Sequence, residues 1–112
     1  MVLTSSKNGN VVIVDVHDDI NFENTRELKT YVQQMIDQEH SVNFIINLKL
    51  VNFIDSSGLG TLVSLLALLK KINGQMKLVG INETIDELFK LTRLNDFFEI
   101  YSNNQDALDS FS

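Results

Sequence analysis

The chain has 112 residues, 44% of them hydrophobic, a net charge of −6 and no cysteine. That length suits a single domain over residues 1–112 with a real buried core. The acidity and the scattered Lys and Arg argue against nucleic-acid binding, and the absence of thiols excludes a disulfide framework, a thiol nucleophile and a thiolate metal site.

The N-terminal Met1-Val2-Leu3-Thr4-Ser5-Ser6-Lys7 lacks the basic-then-apolar pattern of a signal peptide. Val2 to Ser6 is a weak edge-strand candidate, and the Asn8-Gly9 pair that follows is a hairpin signal leading into a β-branched strand, Val11 to Val16. Asp18 to Asn24 reads as a polar loop, with Asp15, Asp18 and Asp19 as a solvated acidic cluster. Leu28, Tyr31, Val32, Met35 and Ile36 then form one stripe of a helix from about Asn24 to Gln38. Val42, Phe44, Ile46 and Leu48 alternate with Asn43 and Asn47, the period of a strand with one strongly buried face.

A leucine-rich helix from about Ser57 to Ile72 ends at Asn73-Gly74. Its Leu65, Leu68 and Ile72 widen the apolar arc beyond one sheet contact, so either neighbouring helices cover them or a partner does. The longest apolar run, Leu65 to Leu69, is too short to span a bilayer, and a soluble cytoplasmic protein without direct membrane contact is expected. Met76 to Ile81 gives the next strand, Asn82 caps a helix with Ile85, Leu88, Phe89 and Thr92 inward, and Phe97 to Tyr101 is a short last strand. Asn103 caps a final helix containing Ala107, Leu108 and Phe111. Strands alternating with helices predict an α/β fold, with a mixed, mostly parallel sheet of four to five strands and helices packed mainly on one face.

The densest chemistry lies in Asn52-Phe53-Ile54-Asp55-Ser56-Ser57-Gly58-Leu59-Gly60, where a strand gives way to the leucine helix. Helix capping by Asp55 or Ser56 is a sufficient reason for such a stretch. The first N–H groups of a helix lack internal acceptors, so an anion there, a serine phosphate included, is held rather than repelled. Glycine costs roughly 1 kcal/mol in a helix relative to alanine, so Gly58 and Gly60 in the first turn suggest bare backbone that lets another surface approach the serines.

The same stretch resembles the phosphorylation loop of bacterial anti-sigma factor antagonists, the single-domain members of the STAS family. The resemblance implies the STAS fold and makes Ser56, directly after the aspartate, the phosphosite. It implies a partner switch and not an enzyme. The unphosphorylated protein binds an anti-sigma factor that is itself a serine kinase and so frees the sigma factor; a PP2C-type phosphatase reverses the modification. Asn21, Asp55, Ser57, Gly58 and Leu59 form the expected partner surface, in a monomer or weak dimer without cofactor or metal. Where family members often carry Gly-x-Leu/Ile-Asp, this chain has Asp18-Asp19-Ile20-Asn21, so Asn21 brings hydrogen bonding without charge.

Enzymatic readings of these residues fail on spacing. A nucleophile elbow needs glycine where Ile54 stands, a dinucleotide fingerprint needs one at Val63, and no Gly-Lys-Ser/Thr is present for a phosphate loop. His17 and His40 are isolated and read as surface residues. The alternatives kept beside the switch are a STAS scaffold subunit of a signalling or transporter complex and a module binding a nucleotide or lipid head group at the helix N-terminus, against which the lack of a basic residue in the loop counts.

Overall fold

The hairpin that opens the computed structural model, which describes residues 1–111, pairs β1 (Leu3–Asn8) antiparallel with β2 (Val11–Val16). Its loop is Gly9-Asn10, and Gly9 takes the positive φ, 62°, that tight hairpin turns favour. The Asn-Gly signal is therefore used one step later than expected, and β1 runs on to Asn8.

Every other pairing is parallel. β2 lies beside β3 (Asn43–Asn47), β3 beside β4 (Gln75–Val79), and β4 beside β5 (Glu99–Tyr101), so the sheet order is β1-β2-β3-β4-β5. The crossovers are α1 (Thr25–Glu39), α2 (Ser56–Lys71) and α3 (Glu83–Leu91). A 3-10 turn (Leu94–Asp96) follows α3, and α4 (Asn104–Asp109) follows β5.

The alternation along each strand separates two cores. Val12, Val14, Phe44, Ile46, Met76 and Leu78 pack with Leu28 and Val32 of α1, the buried leucines of α2, and Ile85 and Phe89 of α3. On the other face, Val11, Ile13, Ile45 and Val79 lie under Ala107 of α4, with Leu108 and Phe111 packed alongside. Right-handed crossovers taken in one direction put α1, α2 and α3 together, and among the described residues only α4 occupies the second face. The expected sheet and its mainly one-sided helices are both present.

Coverage by neighbouring elements accounts for most of the wide apolar arc of α2. Leu65 is wholly buried and Leu68 half-buried, while Ile72 at the C-cap stays exposed. Thr92, expected to point inward, is exposed; its hydroxyl donates to the carbonyls of Leu88 and Phe89 at the end of α3.

Lys77, in the middle of β4, is 2% exposed on the α4 face. Its ammonium donates to Ser110 Oγ at 2.6 Å, lies 3.7 Å from Glu99 Oε1, and stands 4.2 Å from the centre of the Phe111 ring. The Lys77 ammonium gives up hydration for one hydroxyl, one distant carboxylate and two rings, that of Phe111 and, at 5.8 Å, that of Tyr101. Replacing such a group by an apolar side chain of similar length is often neutral or stabilising. Lys77→Met is accordingly expected to melt at the parent temperature or above, as read by thermal unfolding.

Candidate functional site

Ile20 and Ile54 are fully buried apolar residues, one in each of the β2–α1 and β3–α2 loops, and burying both draws the two loops together. They form an isolated parallel bridge: the Ile20 N–H donates to the Phe53 carbonyl and the Asp55 N–H to the Ile20 carbonyl, both at 3.1 Å. Two carboxylates reinforce it from opposite sides. Asp19 Oδ1 accepts from the N–H groups of Asn52 (2.8 Å) and Phe53 (3.2 Å). Asp55 Oδ1 accepts from Gly58 N–H (2.8 Å) and Oδ2 from Phe22 N–H (3.1 Å).

Asp55 is thus the N-cap of α2, and it also ties α2 to the neighbouring loop. Ser56 becomes the first helical residue, one position earlier than expected, and is exposed. Within the described residues its hydroxyl has no hydrogen-bond partner, nor has that of exposed Ser57. The backbone N–H groups of Ser56 and Ser57 are likewise without acceptors, as the opening of a helix requires. A free hydroxyl therefore stands at the positive end of a 16-residue helix.

The remaining expected site residues divide. Asn21 is half-buried, and its side chain serves its own turn: Oδ1 accepts from Glu23 N–H at 2.9 Å. It still borders the site, because the next residue, Phe22, is bonded to Asp55. Gly58 and Leu59 do not belong to an accessible contact surface. Leu59 is 7% exposed and packs into the main core, and Gly58 is buried. A Cβ on Gly58 would lie 2.6 Å from Ile54 Cγ2 and 2.9 Å from Ile20 Cγ2, so this glycine is bare to admit the bridging isoleucines and not an outside partner. Gly60, by contrast, faces open space.

Sequence reasoning overlooked three residues here. Phe22 (71% exposed) and Phe53 (52%) are large aromatic side chains on the two stapled loops beside Ser56. Asp19, taken for part of a solvated cluster, is a structural acceptor reaching across more than thirty positions of sequence. Asp19→Ala removes the acceptor from two exposed N–H groups, which water can then satisfy, so global stability is expected to fall by only about 1 kcal/mol. Amide hydrogen exchange at Asn52 and Phe53 should accelerate well beyond that of β3, which is the measurement that checks it.

The model of the STAS domain family matches residues 3–107. The chain is 24% identical over 98 residues to the anti-sigma F factor antagonist of Paenibacillus polymyxa, covering 88% of this chain and 84% of that one. With the anti-sigma-B factor antagonist of Bacillus subtilis it shares 34% over 67 residues, 60% of this chain and 62% of that one. Among solved structures, a Thermotoga maritima protein assigned as an anti-sigma factor antagonist superposes with a TM-score of 0.91 at 26% identity, over 96% of this chain and 92% of that one. The match runs from the first strand into the last helix, and the chain belongs to the STAS domain family.

Proposed function

We propose that this protein is a phosphorylation-controlled anti-sigma factor antagonist with Ser56 as its switch. In the unphosphorylated state it binds an anti-sigma factor that is also a serine kinase, releasing the sigma factor; phosphate on Ser56 ends that pairing, and a PP2C-type phosphatase restores it. The protein acts in the cytoplasm as a substrate and binding partner and carries out no catalysis. The observation that carries this reading is the free, exposed Ser56 hydroxyl at the first position of α2, left available because Asp55 has taken the cap. The anti-sigma factor antagonists among its relatives support the choice of partner.

The contact surface consists of Asp55, Ser56, Ser57 and Asn21, flanked by Phe22 and Phe53. Exposed aromatic residues of this kind are the side chains that anchor interfaces, where truncation commonly costs 1 kcal/mol or more. Phe22→Ala and Phe53→Ala are each expected to weaken anti-sigma factor binding by about tenfold. Calorimetric titration reads the loss, and because both rings are exposed, thermal unfolding should stay close to that of the parent.

Phosphosite mapping by mass spectrometry on the protein from its native cells, in growth and under stress, tests the switch itself. Occupancy at Ser56 that changes with conditions supports it. A protein free of phosphate in every condition overturns it and favours the scaffold or ligand-binding reading.

A further inference from the structure

A second candidate site lies at the same end of the sheet and owes nothing to the Ser56 reading. The segments leaving β4 and β5 diverge: Gly80-Ile81-Asn82 turns into α3 on the main-core face, whereas Ser102-Asn103 turns into α4 on the other. Adjacent parallel strands whose outgoing connections run to opposite faces leave a crevice beyond their carboxyl ends, the usual ligand position in open α/β sheets. Here it is a cavity of about 710 Å³, within the size range of small-molecule sites.

Two of the amides on its wall are fixed. Asn82 is held at both ends of its amide, Oδ1 by Ile85 N–H (2.8 Å) and Nδ2 by the Asn52 carbonyl (3.0 Å). Asn47 Oδ1 accepts from Lys49 N–H at 2.9 Å, which orients the amide and leaves its NH2 unpaired within the described residues. The Asn104 amide oxygen has no donor within the described residues, but it is buried and so closed to a ligand in the cavity. The Lys49 ammonium and the Ser102 hydroxyl also lack partners within the described residues, and the Glu83 carboxylate, though it lies in the field of the Lys90 ammonium, makes no hydrogen bond or ion pair there.

Charge narrows the ligand. The other wall carboxylate, Asp86, pairs with Lys90 at 3.0 Å, outside the cavity. Lys49 and Glu83 remain, one of each sign, which gives no net charge to hold a phosphate or a dicarboxylate. Ammonium, amide, hydroxyl and carboxylate together both donate and accept, as vicinal hydroxyl groups do. Val79, Ile81 and Ile100 supply an apolar portion for C–H faces.

We propose that this cavity is a binding site for a small uncharged polyhydroxylated compound, a monosaccharide or a cyclitol, whose hydroxyl groups are held by Lys49, Glu83, Ser102 and the free NH2 group of Asn47. Titration of the 15N-labelled chain with D-glucose, D-ribose and myo-inositol, and with inorganic phosphate as the contrast, tests this. Saturable shifts confined to residues 80–83 and 102–104 are expected from at least one of the three, with a Kd of about 1 mM or tighter; response to the sugars or to inositol separates the two sources. Lys49→Met and Glu83→Gln, at exposed positions, should preserve the dispersed spectrum and weaken binding by about tenfold each. The proposal is overturned if none of the three compounds shifts these residues, if only phosphate does, or if both variants bind as the parent does. Ser56→Asp should titrate like the parent, so failure here and failure of the switch are distinguishable.

Discussion

Ser56→Asp is expected to keep the parent's thermal transition while losing roughly a hundredfold in affinity for the anti-sigma factor, a change of about 3 kcal/mol. The fold should survive because the new carboxylate sits on the first residue of α2, where the N–H groups of Ser56 and Ser57 lack acceptors and the helix presents its positive end. Affinity should suffer because the same charge, next to Asp55 on a surface that also carries two exposed phenylalanines, would be desolvated against the partner. Phosphate brings about −1.5 to −2 charges and should act more strongly than aspartate. Calorimetric binding and a melting curve on one preparation decide the matter. An Asp variant that unfolds, or one that binds undiminished, removes the electrostatic mechanism.

Gly58→Ala should be the most damaging single-methyl change near the site. The added carbon would meet Ile54 Cγ2 at 2.6 Å, Ile20 Cγ2 at 2.9 Å and the Ile20 carbonyl oxygen at 3.0 Å. Both isoleucines are fully buried and joined by backbone hydrogen bonds, so neither can move away freely. Overpacking of this kind costs about 1–3 kcal/mol, which for a domain of this size lowers Tm by roughly 4 °C or more per kcal/mol. Gly60→Ala, with nothing within 4 Å of the new carbon, is the control and should melt at the parent temperature or slightly above it. If Gly58→Ala melts with the parent, the two loops are less tightly joined than the geometry indicates.

Strands and helices were legible because their periods are local properties of the chain. Val42 to Leu48 carries the period of a sheet, Val11 to Val16 the β-branched composition of a buried strand and the leucines of α2 the period of a helix, and Asn82 and Asn103 each cap the helix assigned to them. What escaped was set by distant partners. Lys77 looks like a solvated interruption of β4 until α4 lays Ser110 and Phe111 over it. Asp19 looks like one more loop carboxylate until Asn52 and Phe53 arrive beside it. Gly58 was assigned the right property, bareness, for the wrong neighbour, because only the fold reveals that Ile20 lies against it. Ser56 was singled out only by the resemblance, as the serine directly after Asp55, and the choice between Asp55 and Ser56 as cap, which decides whether the hydroxyl is free, depends on the fold.

The joint between the two loops is made almost entirely of backbone groups, two carboxylates and a buried isoleucine pair, and none of it depends on the side chains of Phe22, Phe53 or Asn21's outward neighbours. Shape is thereby separated from identity. The exposed positions can be rewritten over evolution without endangering the scaffold, so duplicated copies of such a protein in one cell could acquire mutually exclusive partners by changing a few surface residues, each running an insulated circuit on the same frame.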